Sequence, residues 1–129
     1  MKVLIDTHAF IWWTSNSQKL TPAVYSLITN PKTDVVLSIV SIWEIQIKLS
    51  LGKIELKTNL PELIDCEVRC NRIELLHLSL FHVYELNNLP HYHKDPFDRL
   101  LIAQAKFEKL SIVSIDDKFN DYEIDRLWE

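Results

Sequence analysis

Apolar residues along this chain fall into two kinds of run. Short β-branched stretches, KVLI (2–5), VVLS (35–38), IELLHL (73–78) and SIVSI (111–115), read as buried strands. Between them lie longer segments with helical signals. TPAVYSLIT offers Thr21 as an N-cap and Pro22 at the first helical position, and NLPELIDCEVRC opens the same way with Pro61. SLFHVYELNNL starts from Ser79, with Leu80, Val83 and Tyr84 at helical spacing. DPFDRLLIAQAKFEKL is apolar almost all round at Leu100 to Ala103, which predicts a helix covered on both sides.

The segment SIWEIQIKLSLG fits two patterns. Ile45, Ile47, Leu49 and Leu51 alternate with polar neighbours as in a strand. As a helix, it places Ile42, Ile45 and Leu49 on one face and Trp43, Ile47 and Leu51 on another. A second strand directly after VVLS would leave almost no turn, and Gly52 is a helix-stopping signal. Helix is the better reading.

Strands alternating with helices predict an α/β domain with a parallel sheet and helices on both faces. The continuous apolar character of the strands agrees with burial on two sides. With no repeat or linker-like stretch, residues 1–129 are expected to form one domain.

Composition narrows the function. The single glycine, Gly52, excludes Gly-rich phosphate loops. No apolar run approaches the length that crosses a bilayer. The apolar start of MKVLIDTHAF is broken by Asp6 and His8, a poor leader pattern, so a cytoplasmic protein without membrane attachment is expected. A net charge of −4 argues against a simple electrostatic nucleic-acid binder, though acids that hold divalent cations carry less negative charge than they count. Cys66 and Cys70 share a helix face by spacing, but no second Cys or His pair completes a zinc site; they are expected to be small buried or half-buried side chains.

In open α/β sheets, ligand sites form beyond the carboxyl ends of the strands. KVLI is followed at once by Asp6, and SIVSI by Asp116 and Asp117. VVLS leads to Glu44 early in the next helix, and the helix before SIVSI begins Asp95-Pro96-Phe97-Asp98. Each acid has a structural explanation. Asp95 before proline is a good N-cap, Asp98 suits the helix dipole, and Asp6 and Asp116 suit strand-end turns. Glu44, between Trp43 and Ile45, is harder to explain, because a buried acid needs a partner. Gathered at one sheet edge, Asp6, Glu44, Asp98 and Asp116 would repel one another, and a divalent cation removes that cost. All-oxygen ligands suit Mg²⁺ or Mn²⁺, and the pattern points to phosphoryl or phosphodiester chemistry.

The segments VLIDTHAFIWW, SIWEI, HKDPFDRLLIAQA and SIVSIDDKF, in this order, resemble the signature segments of PIN domains. The paired tryptophans and the DPFDR helix start make the chain similar to VapC-type toxins of bacterial toxin–antitoxin pairs. The resemblance implies a three-layer α/β/α sandwich around a parallel sheet. It also implies a Mg²⁺- or Mn²⁺-dependent ribonuclease cutting RNA to 5′-phosphate ends, a cognate antitoxin and a homodimer. By motif, the four acids fall on Asp6, Glu44, Asp98 and Asp116, with Thr7 after the first, Asp95 beside the third, and Ser114 where relatives often carry threonine. Asp117 leaves the fourth assignment open by one position.

Other residues read structurally. Arg99 is expected to pair with a nearby carboxylate, Trp12 and Trp13 to serve core and dimer contacts, and His91 and His93 to be loop histidines. Lys48, Lys53, Lys57, Arg69 and Arg72 read as surface, with an RNA groove as the other possibility. Two rival classes remain. A receiver or haloacid-dehalogenase-like phosphoryl-transfer domain also places Asp after the first strand, but His8 stands where the dehalogenase pattern needs its second Asp. A non-catalytic PIN-like interaction domain would use these acids only as caps, and would gain no thermal stability from Mn²⁺.

Overall fold

The computed structural model describes residues 1–92 and 94–129. The chain forms β1 (Lys2–Ile5), α1 (Thr7–Thr14), α2 (Pro22–Thr29), β2 (Asp34–Ser38), α3 (Ile39–Ser50) and α4 (Leu60–Cys70). It continues with β3 (Glu74–Leu76), α5 (Leu80–Glu85), α6 (Pro96–Glu108), β4 (Ser111–Val113) and β5 (Arg126–Leu127). The strands form one all-parallel sheet in the order β3-β2-β1-β4-β5.

Strand side chains alternate between two cores. Val3, Ile5, Val35 and Leu37 pack with Ala9, Phe10, Val24 and Ile28 on one face. Leu4, Val36 and Ile112 pack with Leu101, Ile102 and Ala105 on the other. The result is the expected three-layer α/β/α sandwich. α6 lies against the second face with Leu101 to Ala105 all buried, as its nearly unbroken apolar sequence requires. Helix starts follow the local signals. Thr21 accepts from the Val24 N–H, Asn59 from Glu62 N–H and Ser79 from His82 N–H.

The ambiguous segment is helical, and α3 begins at Ile39, two residues before the SIWEI motif. Ser38 ends β2 and caps α3 in one step, accepting from the Val40 N–H while donating to the buried Gln104 amide oxygen of α6. Gln104 in turn approaches His82, whose Nε2 lies 2.8 Å from Glu108. This buried polar chain ties the end of β2 to the helices on the second face.

Several expectations need correction. α1 and β5 were not legible, and SIVSI is a strand only as far as Val113, so Asp116 follows a short non-strand step. IELLHL shortens to Glu74–Leu76. Cys66 and Cys70 are exposed, on the solvent side of α4, whose buried residues are Leu60 and Glu67. Their spacing fixes a common face but not which face.

Candidate active site

The sheet order reverses between β1 and β4: the chain winds outward from β1 to β3, then returns to lay β4 and β5 on the opposite side. Such a reversal leaves a crevice beyond the carboxyl ends of the two strands. Asp6 leaves β1 into that crevice and Asp116 lies a few residues beyond β4. α3 starts at the same edge because it follows β2 directly. α6 also starts there, because it runs back along the sheet before β4.

Each acid is held by its surroundings. Asp6 is buried and caps α1, accepting from the Ala9 N–H at 2.8 Å. Burial pushes its carboxyl above the usual range, against the hydrogen bonds of Ser114 and Ala9. Glu44 is buried on α3. Thr7 donates to its Oε1 at 2.8 Å, and Lys48 lies 3.2 Å from its Oε2. Ser41 Oγ stands 3.0 Å from the Thr7 hydroxyl, so two small polar residues back this carboxylate. Asp116 is half-buried and caps the 3₁₀ turn Asp117–Asp121, accepting from the Lys118 N–H at 3.0 Å.

Asp95 caps α6, as its place before Pro96 predicts. Asp95 Oδ1 accepts from the Phe97 and Asp98 N–H groups at 2.8 and 3.2 Å. The Asp98 carboxylate, by contrast, has no hydrogen bond or ion pair among the described residues, and it is pushed up to about 7. Desolvation is the main cause, followed by the charges of Asp95, Glu44, Asp6 and Asp116. Asp116 is half-buried and Asp117 exposed. Asp95→Ala is expected to lower stability by about 0.5–2 kcal/mol through loss of the cap, and Asp95→Asn by less. Urea unfolding of the two variants measures this, and equal losses would mean that charge, not capping, is what Asp95 contributes.

Carboxylate oxygens are the right donors for a hard dication. At Asp98, burial and the neighbouring acids both oppose ionisation. Among the described residues, however, no three His, Cys, Asp or Glu side chains close around one point tightly enough to enclose a metal ion. The reason is visible in the contacts. Glu44 is turned to Thr7 and Lys48, while Asp6 and Asp116 each lend an oxygen to a backbone N–H.

The PIN domain family model matches residues 3–125. The chain belongs to the PIN domain family. Among solved structures it is similar to VapBC2 from Rickettsia felis bound to a DNA fragment from its promoter, with 17% identity, all of both chains covered and a TM-score of 0.73. A toxin–antitoxin complex from Klebsiella pneumoniae matches with 13% identity over 97% of this chain and 95% of that one, TM-score 0.64. FitAcB from Neisseria gonorrhoeae matches with 17% identity over 98% and 96%, TM-score 0.66. No curated protein sequence matches. The structural likenesses show that the PIN fold extends over the whole chain.

Within this PIN domain, the partners of Glu44 were not assigned from the sequence. Ser41 and the pairing of Thr7 with Glu44 depend on how α1 meets α3. Lys48 carried a signal: it stands four residues after Glu44, the spacing of a helical ion pair. Arg99 departs from expectation. Its guanidinium donates to the Pro90 and Leu86 carbonyls at 2.8 and 3.5 Å, pinning the chain that leads into α6. Trp12 and Trp13 are half-buried; Trp12 meets Trp128 edge-on and Trp13 donates to Glu67 at 3.1 Å. His91 is exposed, and His93 lies outside the described residues.

Proposed function

We propose that this PIN domain is a Mg²⁺- or Mn²⁺-dependent endoribonuclease, with Asp6, Glu44, Asp98 and Asp116 as the metal-holding acids. The observation that carries the reading is the placement of Asp98: half-buried, its carboxyl raised first by desolvation, and within electrostatic reach of Asp95, Glu44, Asp6 and Asp116. Capping explains Asp6 and Asp116 in part, but it explains neither Glu44 nor the placement of Asp98 among them. When bound, the dication supplies an activated water and charge stabilisation of the leaving oxygen. The chain's residues supply the rest. Asp6 and Asp116 present carboxylates fixed by their own caps, Thr7 orients Glu44, and Asp95 and Arg99 fix the start of α6 and so the position of Asp98. No Ser or His nucleophile is required.

The expected physiological setting is cytoplasmic, as the toxin of a toxin–antitoxin pair and as a homodimer. Support comes from the solved structures it resembles, which are VapBC, FitAB and other toxin–antitoxin assemblies. Among the described residues no helix is long and apolar enough to cross a membrane. A small reading frame directly upstream of the gene is the expected source of the antitoxin. The test is incubation of single-stranded RNA with the purified protein in Mg²⁺, Mn²⁺ or EDTA, followed by analysis of the new ends. Internal cuts with 5′-phosphate ends that stop in EDTA are expected. Cuts leaving 2′,3′-cyclic phosphates would mean that the RNA's own hydroxyl attacks and that the reading is wrong.

A further inference from the structure

We infer that Lys48 is a displaceable internal counter-ion: it holds Glu44 while the acid site lacks a metal and yields that carboxylate when a divalent cation arrives. The inference rests on the metal reading of the four acids and adds a residue outside that set.

The geometry is specific. Lys48 and Glu44 stand one turn apart on the inner side of α3, with nitrogen and oxygen 3.2 Å apart. The pair is largely enclosed, the lysine side chain 24% and the glutamate side chain 11% exposed. Thr7 occupies the other oxygen of the same carboxylate. Both Glu44 oxygens are therefore already engaged by side chains of the protein. This accounts for two facts together: Glu44 tolerates burial, and the acids do not close into a metal cradle in this conformation.

A lysine suits a displaceable role. Its ammonium is a point charge on a flexible stem and has no fixed bidentate geometry to break. The lysine end is the more open of the two, so its ammonium can be re-solvated when it leaves the carboxylate. A hard dication offers a carboxylate far more charge at shorter range. Lys48 then turns its ammonium toward solvent at the mouth of the crevice.

Two substitutions test this by thermal melting and Mn²⁺ titration calorimetry, without an activity assay. Lys48→Met removes the charge and retains much of the stem. Its metal-free form should melt lower than wild type, and its Mn²⁺ affinity should rise by at least about fivefold, since a largely enclosed pair is worth no less than the ~1 kcal/mol of an exposed one. Lys48→Arg keeps the pair and should behave like wild type in both respects. Lys53→Met, which removes an exposed lysine just beyond the helix, controls for net charge and should leave both unchanged. If wild type responds to Mn²⁺ while Lys48→Met shows the same metal-free melt and the same affinity, the counter-ion role is overturned and the metal site stands. A Lys48→Met protein that binds Mn²⁺ more weakly would also overturn it, showing that Lys48 supports the loaded site. A wild-type protein that shows no Mn²⁺ response overturns both this role and the metal reading beneath it.

Discussion

Asp6→Asn is expected to reduce metal-dependent RNA cleavage by more than about 100-fold, because even residues one shell out from a metal commonly cost 10- to 100-fold when replaced. The fold should survive. Asparagine caps a helix about as well as aspartate, so the bond from the Ala9 N–H to the position 6 side chain is kept. Asparagine also carries no charge into a buried place where burial already opposes ionisation. The metal-free melting temperature should be equal to wild type or slightly higher. Asp6→Ala separates the two tasks of the residue: it should lose activity equally and about 1 kcal/mol of stability besides. Full cleavage by Asp6→Asn in metal-containing buffer would remove Asp6 from the site. Lost cleavage together with a collapsed melt would show that its role is structural.

Asp98→Asn should stabilise the metal-free protein and abolish its response to Mn²⁺. The direction follows from protonation. With its folded-state carboxyl at about 7 against an ordinary 3.8, Asp98 binds a proton more tightly in the folded chain than in the unfolded one. Its favourable contribution is complete below about pH 4 and is lost as pH rises through about 7. The amide does not titrate. Wild type and Asp98→Asn should therefore melt alike near pH 4, and the variant should gain on wild type as pH rises to 8. Metal reverses the order. At a free Mn²⁺ concentration a hundred times the dissociation constant, wild type should gain about 2.7 kcal/mol and the variant little. Protons compete for the same oxygens, so Mn²⁺ affinity in wild type should increase over the same pH range. Parallel melting curves for the two proteins at every pH, with equal metal shifts, would mean that Asp98 belongs to the surface of α6.

Glu44 behaves differently from Asp98, and the structure shows why. Sequence spacing suggests that neutralising any of the four acids would relieve repulsion. Glu44 already has Thr7 and Lys48 as partners, so Glu44→Gln gives up an ion pair and should not stabilise the metal-free protein.

The fold was largely legible because its strongest signals are local. Apolar β-branched runs gave four of the strands, and Thr21-Pro22 and Asp95-Pro96 announced helix starts that the structure reproduces. α1 was hidden because THAFIWW is apolar on most sides and follows β1 with only Asp6 between, leaving no turn signal. β5, at Arg126–Leu127, is too short to produce a pattern and exists through pairing with β4. At the site, the chain positions of the acids were readable because parallel strands share one carboxyl edge. Partner choices were not. Arg99 reaches backbone carbonyls, and Thr7 reaches Glu44, through contacts between residues far apart in sequence. Lys48 was the exception, legible from spacing alone but outweighed by how often a surface lysine is only solvated.

The central claim is that Asp6, Glu44, Asp98 and Asp116 form one divalent-cation site. Mn²⁺ titration calorimetry on wild type and on Asp6→Asn, Glu44→Gln, Asp98→Asn and Asp116→Asn tests it most directly. The account predicts saturable binding by wild type and a loss of at least about tenfold in affinity for each variant, with circular dichroism unchanged. Absence of Mn²⁺ binding by the folded wild-type protein, or binding that all four substitutions leave intact, would contradict it.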